Sequence, residues 1–213
     1  MFAIDMHTHT RLGSSDSFIG PEELVATAKR VGLDGLCITE HGFARPAWTD
    51  DLGALTGFPV FGGMEVPTER GDFLVYGVQE IPPSYRTWER LCEYVVELGG
   101  AIVPAHPFRY TEIASSYTLT DLDRVIAEHG EFRLVTALEV YNGFAKDLET
   151  EFGGAVARRL GMSGIAGSDA HLPPAVGSCF TLFDNPIATE RELVEALRGG
   201  DFAPVRGRRV IKR

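Results

Sequence analysis

The sequence predicts an α/β fold whose strands close, or nearly close, into a barrel. Three observations carry this expectation. Short apolar runs alternate with helical patterns almost throughout the chain. The runs are continuously apolar, as in parallel strands covered on both faces. Seven strand–helix units in 213 residues suit a closed sheet better than an open one, near the lower end of barrel size.

The first strand is expected over Phe2 to Asp5. Pro21-Glu22-Glu23 then opens a helix with Leu24, Val25, Ala28 and Val31 on its apolar face, and Gly32 suits its stop. Strands follow at Gly35 to Thr39 and Pro59 to Val66, with a short strand or hairpin at Phe73 to Val78. Trp88, Leu91, Cys92, Val95 and Val96 give helical spacing to Thr87–Leu98, which ends at Gly99-Gly100. After a strand at Ala101 to Ala105, Leu122, Val125 and Ile126 mark a helix, and His129 sits at its C-terminal end, a good position for a histidine of no catalytic role. Further strands are expected at Leu134 to Tyr141, Ser163 to Gly167 and Ser178 to Phe183. Asp147 to Leu160 reads as a helix ending at Gly161, and Thr189-Glu190-Arg191-Glu192 is a capping box before Leu193, Ala196 and Leu197. With no internal repeat or linker, residues 1–213 read as a single barrel domain.

Apolar residues make up 44% of the chain and charged residues 23%, ordinary for a globular protein. No run has the length of a membrane span, and no basic leader precedes the first strand. Cys37, Cys92 and Cys179 lie apart in apolar runs, which suits free thiols in a reducing cytoplasm. The net charge of −10 disfavours an extended nucleic-acid surface. The basic cluster Arg206, Arg208, Arg209, Lys212 and Arg213 reads as a solvated tail or a final edge segment. Dinucleotide, P-loop and serine-elbow motifs are absent from the sequence.

The chemistry lies at the strand ends. Asp5-Met6-His7-Thr8-His9 puts two imidazoles at i and i+2, on one face if strand geometry continues. Histidines and carboxylates recur at Glu40-His41, Gly63-Met64-Glu65, His106-Pro107 and Asp169-Ala170-His171. His7, His9, His41, His106 and His171, with Asp16, Glu65, Glu139 and Asp169, exceed the needs of one ion. They point to two or three divalent metals, zinc, manganese or iron, with Glu65 as the best bridge. Such a centre can clamp a phosphate and activate water. Arg109, Arg45 and Arg11 each follow a candidate histidine closely, and Arg109 is the first choice for a phosphate partner.

The order Asp5-x-His7-x-His9, Thr39-Glu40-His41, Gly63-x-Glu65, His106-Pro107, Leu138-Glu139-Val140-Tyr141-Asn142 and Gly167-Ser168-Asp169-Ala170-His171 resembles the polymerase and histidinol phosphatase (PHP) family. The resemblance implies a distorted (β/α)7 barrel with a metal-dependent phosphoesterase site. By position, His7, His9, Glu65 and Asp169 would hold a first metal, Glu65 and His106 a second, and His41 and His171 a third. Two departures stand out. Asp16 comes later than the family's acidic position after the His-x-His pair, and Asn142 stands where many members carry a histidine, leaving Glu139 as an alternative ligand.

The expected activity is hydrolysis of a small phosphorylated substrate by a metal-activated hydroxide, with Asp169, His171 and Arg109 as catalytic residues. Two other readings stay open. One is an amidohydrolase-like metal hydrolase, against which the absence of a strand-end lysine argues mildly. The other is a non-catalytic metal-binding accessory module.

Overall fold

The computed structural model describes residues 1–109 and 119–207. Its centre is a curled, half-barrel sheet of seven strands in the order β5-β4-β3-β2-β1-β8-β9. These strands are β1 (Phe2–Thr8), β2 (Gly35–His41), β3 (Val60–Thr68), β4 (Gly71–Tyr76), β5 (Ala101–Pro104), β8 (Cys179–Phe183) and β9 (Phe202–Arg206). A second, two-stranded parallel sheet holds β6 (Leu138–Asn142) and β7 (Gly164–Gly167). It joins the larger sheet where the end of β1 meets Ala170 in a parallel bridge.

In place of the expected closed parallel barrel, the structure has a half-barrel of mixed strand direction. β1, β2 and β3 are parallel neighbours, whereas β4 is antiparallel to both β3 and β5, and β8 to both β1 and β9. The reason for β4 is local. Only Glu69 and Arg70 separate it from β3, too little chain for a helical crossover. β9 carries Pro204 and lies at the sheet edge, where a missing ladder N–H is tolerated. Arg206 at its end pairs with Asp147 at 2.6 Å, while the other four residues of the basic cluster lie outside the described residues.

The helices are α1 (Pro21–Arg30), α2 (Trp48–Thr56), α3 (Trp88–Glu97), α4 (Leu122–Glu128), α5 (Asp147–Leu160) and α6 (Glu190–Gly199). α1 stops at Gly32, whose φ of 82° lies in the left-handed region. The predicted capping box of α6 is present. Glu192 N–H donates to Thr189 Oγ1 at 3.2 Å, and Thr189 N–H donates to the Glu192 carboxylate at 3.2 Å. α2 has no counterpart among the sequence expectations. No helix among the described residues is long and apolar enough to cross a membrane.

Alternation decides which face each strand residue covers. Ile4, Met6, Cys37, Phe61, Leu74, Tyr76, Ala101 and Val103 fill the inside of the curl, and Leu193, Val194 and Leu197 of α6 close its lower end. Outward residues pack under helices: Leu36 and Ile38 with α1 and α2, and Met64, Val75 and Ile102 with α3. β6 packs against α4 and α5 through Leu138, Val140, Phe152 and Val156. Each fully buried Leu, Ile or Phe contributes about 1.5–3 kcal/mol from removal of apolar surface from water. With the lower end closed, the upper end is left for polar groups.

Candidate metal centre

Three ligand-bearing strands reach the upper end by simple alternation. His41 follows Cys37 and Thr39 on β2, and Glu65 follows Phe61 and Gly63 on β3. On β4, which runs the other way, Asp72 precedes Leu74 and Tyr76. β1 does not follow this rule. Ile4 and Met6 already point inward, so His7 and His9 would face out of a regular strand. The pairing with β2 advances from Asp5–Leu36 to Thr8–Ile38, three residues against two, and this bulge turns both imidazoles inward. A second bulge between Glu139 and Tyr141 interrupts β6.

Two further candidate positions use strained backbone. His106 and Asp169 are the non-glycine residues of positive φ among those described, at 32° and 55°. Asp169 N–H donates to His7 O at 2.7 Å, and His9 N–H to Ala170 O at 3.2 Å, so the two chain ends are stitched together at the centre. Gly167 permits this approach, because a Cβ there would lie 2.3 Å from His7 Cβ. Beneath them Asp5 is fully buried and accepts from Ser168 N–H at 2.8 Å and Gly177 N–H at 2.9 Å. Burial outweighs these bonds and pushes the Asp5 carboxyl up to about 6.

Glu65 sits in the middle. Its Oε2 lies 3.3 Å from His7 Nε2, 3.2 Å from His9 Nε2 and 3.0 Å from His41 Nδ1, and its Oε1 lies 3.0 Å from His106 Nε2. Asp169 Oδ1 faces His7 Nε2 at 3.4 Å, His9 Nε2 at 3.2 Å and His171 Nδ1 at 3.6 Å. Among the described residues, three groups have candidate ligand atoms within 4.8 Å of one another: His7, His9, Glu65 and Asp169; Glu65, Asp72 and His106; and His9, His41 and His171. Asp16 faces the last group, 3.5 Å from His41 Nε2 and 3.4 Å from His171 Nε2.

Surrounding groups set the direction of each ring. Glu139 Oε1 lies 3.0 Å from His7 Nδ1, which fixes the proton there and leaves Nε2 for the centre. Glu139 Oε2 accepts from His106 N–H at 2.6 Å and Asn142 Nδ2 at 3.1 Å. Glu139 therefore stands behind His7, outside all three groups, and Asn142 is tied to its neighbours. Ser14 Oγ lies 3.0 Å from His9 Nδ1 and donates to Glu40 Oε2 at 2.6 Å. His171 Nδ1 lies 2.8 Å from Asp169 O.

The donor set fits divalent cations. His9 Nε2 is buried without a hydrogen-bond partner, although two carboxylates surround it. Burial alone would lower the His7 pKa, yet Asp169, Glu139 and Glu65 carry it well above the usual value. Burial likewise opposes ionisation of Glu65, but His7, His106 and His41 hold it well below the carboxylate range. Asp169 is lowered in the same way, by His7, His9 and Arg109 against its burial. A proton on His7 answers the same negative field that would draw a cation.

The three candidate arginines part company. Arg109 Nη2 donates to Asp169 Oδ2 at 2.6 Å and to Asn142 Oδ1, at the edge of the centre. Arg45 instead packs over Gly62, pairing with Asp50 and with Glu190 at 3.2 Å. It borders a cavity of about 600 Å3 with Phe2, Phe58 and Ile187, which contains none of the grouped ligands. Arg11 lies against Gly20. Its place after His9 and that of Arg45 after His41 gave the same signal as Arg109. The sequence reading missed Asp72. Its signal was the inward phase it shares with Leu74 and Tyr76, on a strand whose beginning, not its end, meets the centre.

Comparisons with known proteins bear on the fold. Residues 149–202 match the family described as PHP-associated. An uncharacterised protein of Methanocaldococcus jannaschii is 26% identical over 153 residues, 67% of this chain and 83% of that protein. A two-domain protein of Bacteroides vulgatus, described as containing a predicted PHP-like metal-dependent phosphoesterase, superposes with a TM-score of 0.71 and 19% identity, over 97% of this chain and 65% of its own. An amidohydrolase of Chromobacterium violaceum, solved with bound sulfate, gives 0.64 and 17% over 95% of this chain and 97% of its own.

Proposed function

We propose that this chain is a PHP-family, metal-dependent phosphoesterase acting on a small phosphorylated substrate. The observation that carries the reading is the convergence of four imidazoles on the two oxygens of Glu65. One carboxylate so placed can bridge cations, and bridged cations suit a phosphate better than a single ion does.

His7, His9, Glu65 and Asp169 would hold a first cation, and Glu65, His106 and Asp72 a second. His41 and His171 would hold a third, with Asp16 at its exposed side. Zinc, manganese and iron all suit imidazoles mixed with carboxylates. When bound, these ions supply Lewis acidity that activates water and offsets phosphate charge. Arg109 steadies Asp169 and brings a guanidinium to the edge of the phosphate site. With cations bound, Glu139 and Ser14 would hold the remaining ring proton of His7 and His9 on Nδ1, which leaves each inward nitrogen for ligation. His171, partly exposed beside Asp16, would face the leaving group. The three buried free cysteines support a cytoplasmic setting.

The test pairs metal content of protein purified without chelator with phosphate release from p-nitrophenyl phosphate in manganese or zinc. Two or three ions per chain and turnover abolished by chelation are expected. Turnover that survives complete metal removal would sink the mechanism. Hydrolysis of cyclic amides without phosphate release would point instead to an amidohydrolase, and tight metal binding with no turnover of either to an accessory module.

A further inference from the structure

Large apolar side chains that remain exposed are common singly and informative in groups. Three lie about His171. Phe18, Phe144 and Leu172 are 72%, 55% and 52% exposed. Phe18 N–H donates to His171 O at 3.0 Å, and Leu172 follows His171 in sequence. The Phe144 ring stands edge-on to the His171 ring, with centroids 6.4 Å apart and planes at 71°.

None of the three sits on a frayed segment. The Phe18 loop is held by Arg11 N–H to Ile19 O at 2.9 Å and by Ser17 Oγ to His9 O at 3.0 Å. Phe144 N–H donates to Asn142 Oδ1 at 2.9 Å, and Ala175 N–H closes a turn onto Leu172 O at 3.0 Å. The backbone of each is thus held beside His171, and the Phe144 ring itself meets the His171 ring at the edge of a centre whose own lining is charged. A phosphoryl group held at the metals would direct its ester substituent past His171 toward them.

We infer that Phe18, Phe144 and Leu172 form a specificity rim that selects phosphomonoesters with a flat, apolar leaving group, such as aryl esters, over esters of small polyols. The inference rests on the phosphoesterase reading. Aromatic rings meeting edge to face and the apolar area they cover favour the aryl ester by about tenfold.

Binding of two non-hydrolysable probes tests this without turnover. Phenylphosphonate and methylphosphonate are titrated calorimetrically into the metal-loaded protein, into the F18A/F144A variant and into F144W. Wild type should bind the phenyl compound about tenfold more tightly. F18A/F144A should lose most of that ratio, and F144W should keep it, with metal content verifying that each variant retains its centre. Equal affinities in wild type, or a ratio that survives in F18A/F144A, would overturn the rim. If neither phosphonate binds the loaded protein, the phosphoesterase reading itself fails, and the rim with it.

Discussion

On β2, β3 and β4 the inward positions run without a break from the core to a candidate ligand: Cys37 to His41, Phe61 to Glu65, and Tyr76 back to Asp72. On the opposite side of the centre nothing so regular happens. β1 and β6 bulge, and His106 and Asp169 adopt positive φ. Both sides deliver side chains to the same small volume, one by period alone and the other by departures from it. The difference shows where the fold stores strain. Regular strands can each bring one ligand to the rim, but a closed shell also needs ligands that approach across it, and those require irregular backbone.

The sharpest test of the regular side is Glu65→Gln. The charge shared by two ligand groups disappears, so bound metal should fall to one ion or none and phosphate release by roughly a thousandfold or more. Retention of full metal content would mean that Glu65 is a spectator. Leu193→Ala tests the apolar end below. It should lower unfolding free energy by about 2–5 kcal/mol in denaturant titration while the folded protein keeps its ions.

Gly167→Ala tests the irregular side. The new methyl meets His7 Cβ, so the variant should lose about 1–3 kcal/mol of stability and, unlike Leu193→Ala, lose metal as well. If the two variants behave alike, the distinction between the ends is wrong.

The smallest effect is a pH dependence measured on chelated protein. Burial lowers the His7 pKa but Asp169, Glu139 and Glu65 raise it further, so its folded value exceeds the unfolded one. Its stabilising contribution is then fully present below the ordinary histidine range near 6.5 and is lost as pH rises through the raised value, at up to about 1.4 kcal/mol per pH unit. Asp5, raised to about 6 by burial, changes only below that point. Glu65 and Asp169, both lowered, contribute above the ordinary carboxylate range and stay constant through neutral pH. Chelated protein should therefore melt lower at pH 9 than at pH 6.5, and metal should reverse the trend, because cations compete with protons for His7.

The same division explains what was legible beforehand. Helix ends at Gly32 and Thr189 depend on neighbours in sequence and could be read there. His7, His9, His41, Glu65, His106, Asp169 and His171 stood at the ends of apolar runs, and the structure gathers them. The direction of β4 depends on a two-residue connection and the fit of β3, so Asp72 stood just before the expected strand Phe73 to Val78, with nothing to tie it to the chemistry. Arg45 and Arg109 differ only in what surrounds them in space. Asp50 and Glu190 claim the first, while Asp169 and Asn142 hold the second at the centre.

The stitching of β1 to the later strands also bears on biosynthesis. Asp5 bonds to Gly177, 172 positions further along the chain, and His7 is held by Asp169. A ribosome therefore releases the His-x-His pair long before the groups that enclose it. Until Asp169 and β8 emerge, those imidazoles can capture metal only as an open, loosely held chelate, and a chain stalled midway carries no finished centre. Any ion the site takes up is enclosed only after Asp169 and β8 have emerged, when long-range pairing, the slowest part of folding, brings the first strand home.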